Sequence, residues 1–260
     1  MIALVALLAG CGGSGSATLY VLFDASDSSS QLIRDGYRSD SVLMGTAFCQ
    51  QHPGSGEIIF NVITASAAAN SQLESIQCPK RVNDTDFKAK MLVFGSQLQA
   101  TVDNVINYQE PTRGSDIIGA ILYGANQTFD RFKPKSKYLV VFSDMQQFGD
   151  GVRPCVRNGP AHAAACLSLY FMRHPEFDAN RSELQDAAVF VVGVGQTTGG
   201  SLGSSEILDY QTFWTSFFKR EQAKICWFAP TNMPVTNNSD GTQSISSKYF
   251  NANCPPIPGL

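Results

Sequence analysis

The chain has 260 residues, of which 43% are hydrophobic, 16% are charged and 17 are phenylalanine. That balance excludes a disordered chain and supplies a substantial core. The formal charge of −3 gives no basic face for nucleic acid, and no apolar run reaches the roughly 18 residues of a membrane-spanning helix.

The first stretch, MIALVALLAGC, is apolar and ends in small residues and a cysteine. Leu8-Ala9-Gly10-Cys11 resembles the lipobox of a bacterial lipoprotein signal. The resemblance implies a signal peptide over residues 1–10, cleavage before Cys11, and lipid on that cysteine. No Lys or Arg precedes the apolar stretch, which departs from the usual signal. Residues 11–17 then read as a lipidated flexible tether, with GGSGSAT as its spacer. Gly12 is not the aspartate that retains many such proteins at the inner membrane. The expectation is therefore a lipid-anchored protein of the bacterial envelope, at the outer membrane and facing the periplasm or the surface.

Next come strands and helices in alternation. TLYVLFDA (18–25), EIIFNVIT (57–64), KYLVVFSD (137–144) and AVFVVGVG (188–195) are short, β-branched and nearly continuous in hydrophobicity. Strands covered on both faces read this way, as in parallel sheets. KICWFA (224–229) is a weaker fifth. Residues 86–109 place Phe87, Met91, Phe94, Leu98, Val102 and Val105 on one helical face. Helices are also predicted over 115–129 and over 205–221, where Tyr210, Trp214, Phe217 and Phe218 form a core stripe. The alternation predicts an α/β fold over 18–229, a doubly wound, mostly parallel sheet flanked by helices on both faces. Residues 230–260, rich in Asn, Ser, Thr and Pro, read as an irregular tail pinned by Cys254.

Seven cysteines are present, and setting Cys11 aside leaves six. An even set in an exported protein predicts disulfides, with 15 possible pairings; among these the spacings suggest local closure of Cys49 with Cys78, Cys155 with Cys166, and Cys226 with Cys254. There is no C-x-x-C, so zinc and thioredoxin-like chemistry are not expected.

Three clusters of acids and hydroxyls stand at strand or helix ends: Asp24, Ser26 and Ser28; Ser115 and Asp116; Ser143 and Asp144. In an open α/β sheet, ligands bind outside the carboxyl ends of the strands, at a topological switch point. All three clusters should converge there. The set contains carboxylates and hydroxyls but no His or Cys, which suits magnesium, manganese or calcium.

Asp24-x-Ser26-x-Ser28, then Ser115 opening a helix, then Asp144 after a later strand resemble the metal-ion-dependent adhesion site (MIDAS) of a von Willebrand factor type A domain. The resemblance covers roughly residues 17–229. It implies a three-layer sandwich holding Mg2+, Mn2+ or Ca2+. Ser26 and Ser28 would ligate through their hydroxyls, Ser115 directly or through water, and Asp24 and Asp144 mainly through bound waters. A partner protein's acidic residue would complete the octahedron. Three departures stand out. Ser115 replaces Thr, Met145 replaces a Gly expected to matter little, and no long helix follows the last strand.

The stretch from Met145 to Cys166 is long for a strand-to-helix connection. It carries Arg153 and Arg157, which are expected to bind partner carboxylates through two-pronged hydrogen bonds. His52, His162 and His174 fall near loops or helix ends and are expected at the surface. A G-x-S-x-G elbow is absent, and the Gly-rich stretch 193–203 reads as a mobile loop. The expected function is thus a metal-dependent adhesion or scaffolding module, not an enzyme. The alternatives are a structural subunit of an envelope secretion, conjugation or pilus assembly with a vestigial metal site and, ranked lower, a metal-dependent hydrolase.

Overall fold

In chain order the elements are β1 (Ala17–Asp24), α1 (Gln31–Gln51), β2 (Gly56–Ile63), β3 (Glu74–Gln77), α2 (Asp84–Ile106), α3 (Ile117–Ala125) and β4 (Ser136–Phe142). There follow α4 (Ala163–Arg173), β5 (Ala188–Val192), β6 (Gln196–Thr197), β7 (Gly200–Ser201), α5 (Ser204–Arg220), β8 (Lys224–Ala229), β9 (Val235–Asn237) and β10 (Gln243–Ile245). The computed structural model describes residues 16–24, 31–65, 74–107, 114–147, 162–177, 182–197, 200–230, 233, 235–239, 243–250 and 254. No helix among them is long and apolar enough to cross a membrane.

Six strands form one sheet in the order β3-β2-β1-β4-β5-β8. All neighbours are parallel except β3, which runs antiparallel to β2 at the edge. The expected doubly wound α/β architecture is present, and its order reverses between β1 and β4, which makes that junction the switch point.

Side chains alternate between the two layers, as the period of a strand requires. Leu19, Val21, Phe23, Phe60, Val140, Phe142 and Phe190 face a core shared with α1 and α2. Tyr20, Leu22, Leu139, Val141, Val189 and Val191 face a second core capped by α3, α4 and α5. Every residue of β1 is buried, which is why its sequence is continuously apolar rather than alternating.

The helix α1 carries no strong periodic signal in sequence, and it packs beside α2 within one layer. A Cβ at Gly45 would stand 2.8 Å from Leu98 Cδ2, so the missing side chain lets α1 and α2 pack closely. Arg38 then bridges Asp35 on its own helix and Asp103 on α2. At the start of α2, Asn83 accepts from the Asp86 amide at 2.8 Å, a side-chain cap.

Cys49 is bonded to Cys78 and Cys226 to Cys254. Cys166 is also disulfide-bonded, while Cys155 lies outside the described residues. The described residues after Pro230 carry regular structure where composition indicated loop. They contain the β9–β10 hairpin and a 3-10 turn, Ser247–Phe250. Phe250 contacts the rings of Tyr138 on β4 and Phe190 on β5, and Tyr249 contacts Trp227 on β8. Tyr138 Oη donates to the Phe250 carbonyl at 2.7 Å, and Asp40 accepts from the Met233 amide at 2.8 Å. Met233, Ile245, Tyr249 and Phe250 thus cover the part of the sheet that α1 and α2 leave open. Their apolar side chains are widely spaced among polar residues, so no window reads as an element.

Two smaller readings also change. His52, expected at the surface, lies among Phe48 and Tyr138 with Nε2 buried and without a hydrogen-bond partner. Burial lowers its pKa. Within the Gly-rich stretch, β6 and β7 pair as a short hairpin.

Candidate functional site

Parallel pairing of β1 with β4 sets Phe23 opposite Phe142, their rings stacked at 5.1 Å. The next residues, Asp24 and Ser143, therefore leave the sheet side by side at its carboxyl edge. Ser143 Oγ donates to Asp24 Oδ2 at 2.7 Å, and Ser115 Oγ donates to Asp24 Oδ1 at 2.8 Å. Ser115 arrives because the Asp116 amide donates to the Thr64 carbonyl, just past β2, at 2.8 Å. One carboxylate is thus gripped by hydroxyls from two other segments, and all three residues are buried.

Asp144 stands one residue further on. Its Oδ1 accepts from the Gln146 amide at 2.9 Å and its Oδ2 from Gln146 Nε2 at 3.1 Å. The Asp144 carbonyl accepts from the Gly195 amide at 2.9 Å, which ties this turn to the end of β5. Both carboxylates act on Tyr37 of α1. Burial first, then the negative charges of Asp24 and Asp144, push its phenol well above its usual pKa. The phenol therefore keeps its proton.

Asp116 has a different job. Its Oδ1 accepts from the Gly119 amide, Gln147 Nε2 and the Tyr170 hydroxyl at 2.9 to 3.0 Å. Gln147 Oε1 takes the Ile117 and Ile118 amides at 2.7 and 3.0 Å. The first turn of α3 is thereby satisfied by side chains, so its amides are not available to an anion.

Met145 departs from the expectation that its replacement of glycine matters little. Its φ is +62, in the left-handed region where a side chain is costly. The residue is held there from three sides. Its amide donates to Ser143 Oγ at 2.9 Å, its carbonyl accepts from Trp214 Nε1 at 2.9 Å, and its side chain is fully buried.

Of the residues picked from sequence, Asp24, Ser115 and Asp144 are brought to one edge. Ser26, Ser28, Cys11, Arg153 and Arg157 lie outside the described residues. Sequence reading assigned Ser143 and Gln146 no ligand role and did not single out Tyr37. For Ser143 the signal was its place beside Asp144 at the end of β4.

The donor set fits a hard divalent cation. A hydroxyl that gives its proton to Asp24 keeps its oxygen lone pairs, so Ser115 and Ser143 are oriented as neutral ligands, although the Met145 amide already takes one lone pair of Ser143. Among the described residues there is no group of three or more His, Cys, Asp and Glu able to hold a metal. A cation here would rely on hydroxyls and water as much as on carboxylates.

No family model and no curated protein matches the chain. Solved structures similar to it include the PilB minor pilin from Streptococcus sanguinis, at 13% identity and TM-score 0.44, covering 83% of this chain and 58% of that one. A second is the pilus adhesin SpaC from Lactobacillus rhamnosus GG in its open conformation, at 7% identity and TM-score 0.42, covering 82% and 28%. A third is an aerotolerance-related membrane protein from Bacteroides fragilis, at 12% identity and TM-score 0.37, covering 84% and 94%. The chain spans less than two thirds of the length of the first two. Likenesses this distant say nothing of function.

Proposed function

We propose that the carboxyl edge of the sheet holds a divalent cation, magnesium or manganese, and that the chain is a binding module of the bacterial envelope which captures an acidic residue of a partner protein. The supporting observation is Asp24, held by the hydroxyls of Ser115 and Ser143 beside the Asp144 carboxylate. Asp24, Ser115 and Asp144 would hold the cation, with Ser26 and Ser28 as further hydroxyl donors. The cation supplies the positive charge that a partner's carboxylate needs at an otherwise acidic edge. Arg153 and Arg157 would select among partner acids, and lipid on Cys11 would anchor the module.

Calorimetry with Mn2+ and Mg2+ on chelator-treated protein is the test. One site is expected, lost in an Asp24→Asn, Asp144→Asn double variant whose circular dichroism matches wild type. Unchanged uptake by that variant removes the assignment. Given uptake, capture of an envelope partner that chelator abolishes supports the binding role.

A second reading has its own observation. Both carboxylates are already hydrogen-bonded within the protein, as befits a structural subunit of an envelope assembly with a vestigial site. Absence of cation uptake by the wild type favours that reading.

A further inference from the structure

Tyr37 lies on α1. Its ring packs against Phe142 at 5.1 Å, at the end of β4. Its hydroxyl occupies the space that a side chain on Gly193 would need, and Gly193 has φ +99 at the end of β5. Glycine there serves two ends at once, since it permits the positive φ and makes room for the phenol. Tyr37 is therefore fixed over the carboxyl ends of β4 and β5 by its ring, its helix and the glycine gap.

The hydroxyl itself makes no hydrogen bond with the described residues; burial and the Asp24 and Asp144 charges are what act on it. A phenol is an O–H donor at neutral pH, so Tyr37 can serve as one. Ser115 and Ser143 spend their protons on Asp24, and Gln146 gives its backbone amide proton and one Nε2 proton to Asp144, while its Oε1 is without a partner among the described residues.

We infer that the Tyr37 hydroxyl is a ligand-contacting donor, hydrogen-bonding the outer oxygen of a carboxylate held at this edge. The inference rests on the cation reading above and adds to it. The cation takes one carboxylate oxygen and Tyr37 the other, which favours a planar carboxylate over a monodentate oxygen ligand such as an alcohol.

The test uses the full chain, Mn2+ and acetate as the carboxylate probe. Tyr37→Phe removes the hydroxyl and keeps the ring on Phe142, and near-ultraviolet circular dichroism checks that packing. Mn2+ affinity is read by calorimetry, and acetate is then titrated against the Mn2+-loaded protein by electron paramagnetic resonance. The expected result is Mn2+ affinity within about twofold of wild type and acetate affinity about tenfold weaker, the scale of one charge-assisted hydrogen bond. Equal acetate affinity overturns the inference, as does a loss of Mn2+ affinity as large as the loss for acetate. A wild type that takes Mn2+ but not acetate overturns it while leaving the cation reading standing. A wild type that takes no Mn2+ ends both.

Discussion

Ser143 and Asp24 stand at the ends of adjacent parallel strands, and the serine hydroxyl meets the aspartate at 2.7 Å although 119 positions separate them. The same hydroxyl accepts from the Met145 amide at 2.9 Å. Ser143→Ala removes a donor and an acceptor together, taking one hydroxyl from Asp24 and the hydroxyl acceptor from the buried Met145 amide. It should cost about 1–3 kcal/mol, read by urea unfolding, and should weaken Mn2+ uptake. A change within about 0.5 kcal/mol would show that the hydroxyl is dispensable.

Met145→Gly sets two effects against each other. Glycine relieves a left-handed residue, worth about 1–2 kcal/mol. It also deletes a fully buried side chain, worth about 2–5 kcal/mol, and loosens the unfolded chain by a further 0.5–1 kcal/mol or so. The side chain should win, and the variant should be less stable by about 0.5–5 kcal/mol in the same assay. A more stable variant would mean that backbone strain dominates this turn.

The tail fastening is sensitive to pH. Burial raises Asp40 from 3.8 to about 6, against the lowering effect of the Met233 amide. With the folded value above the unfolded one, the folded state binds the extra proton. Asp40's contribution is then fully present below about pH 4 and is lost as pH rises through about 6. Glu221, raised by burial from 4.5 to about 7 despite Arg220 beside it, acts in the same direction, and His52 acts in the opposite one. Comparison of wild type with Asp40→Asn isolates the first. The variant should gain on the order of 2 kcal/mol relative to wild type between pH 4 and pH 8. A pH-independent difference would remove the assignment.

Cys226–Cys254 closes a loop with a sequence separation of 28 and ties the end of the tail to β8. Cys254→Ser paired with Cys226→Ser should lower stability by about 2–4 kcal/mol. Hydrogen exchange should rise first at Tyr249 and Phe250, whose rings cover β4, β5 and β8. Loss confined to α4 instead would contradict that packing.

Much of the fold is legible in one dimension because burial on both faces leaves a continuous apolar run. β1, β2, β4, β5 and β8 were read to within a few residues, as were α2 and α5. Asp24, Ser115 and Asp144 could be placed on one edge by the rule that parallel strands end together at a switch point. α1 was not legible, since Gly36, Gly45 and scattered polar residues blur its period, and its close packing depends on Leu98 of another helix.

The sequence by itself determined the layer architecture and which acids and hydroxyls stand at the strand ends, because both follow from local residue type and spacing. The pairing of Cys49 with Cys78 and of Cys226 with Cys254 was one of 15 open arrangements until the fold chose it. Only the tertiary structure decided which oxygen meets which. The grip of Ser143 on Asp24, the capping of α3 by Gln147, the tail's cover of the sheet and the position of Tyr37 over Gly193 all join residues far apart in the chain. Their distances are set by strand register and packing, which leave no periodic trace in any single stretch.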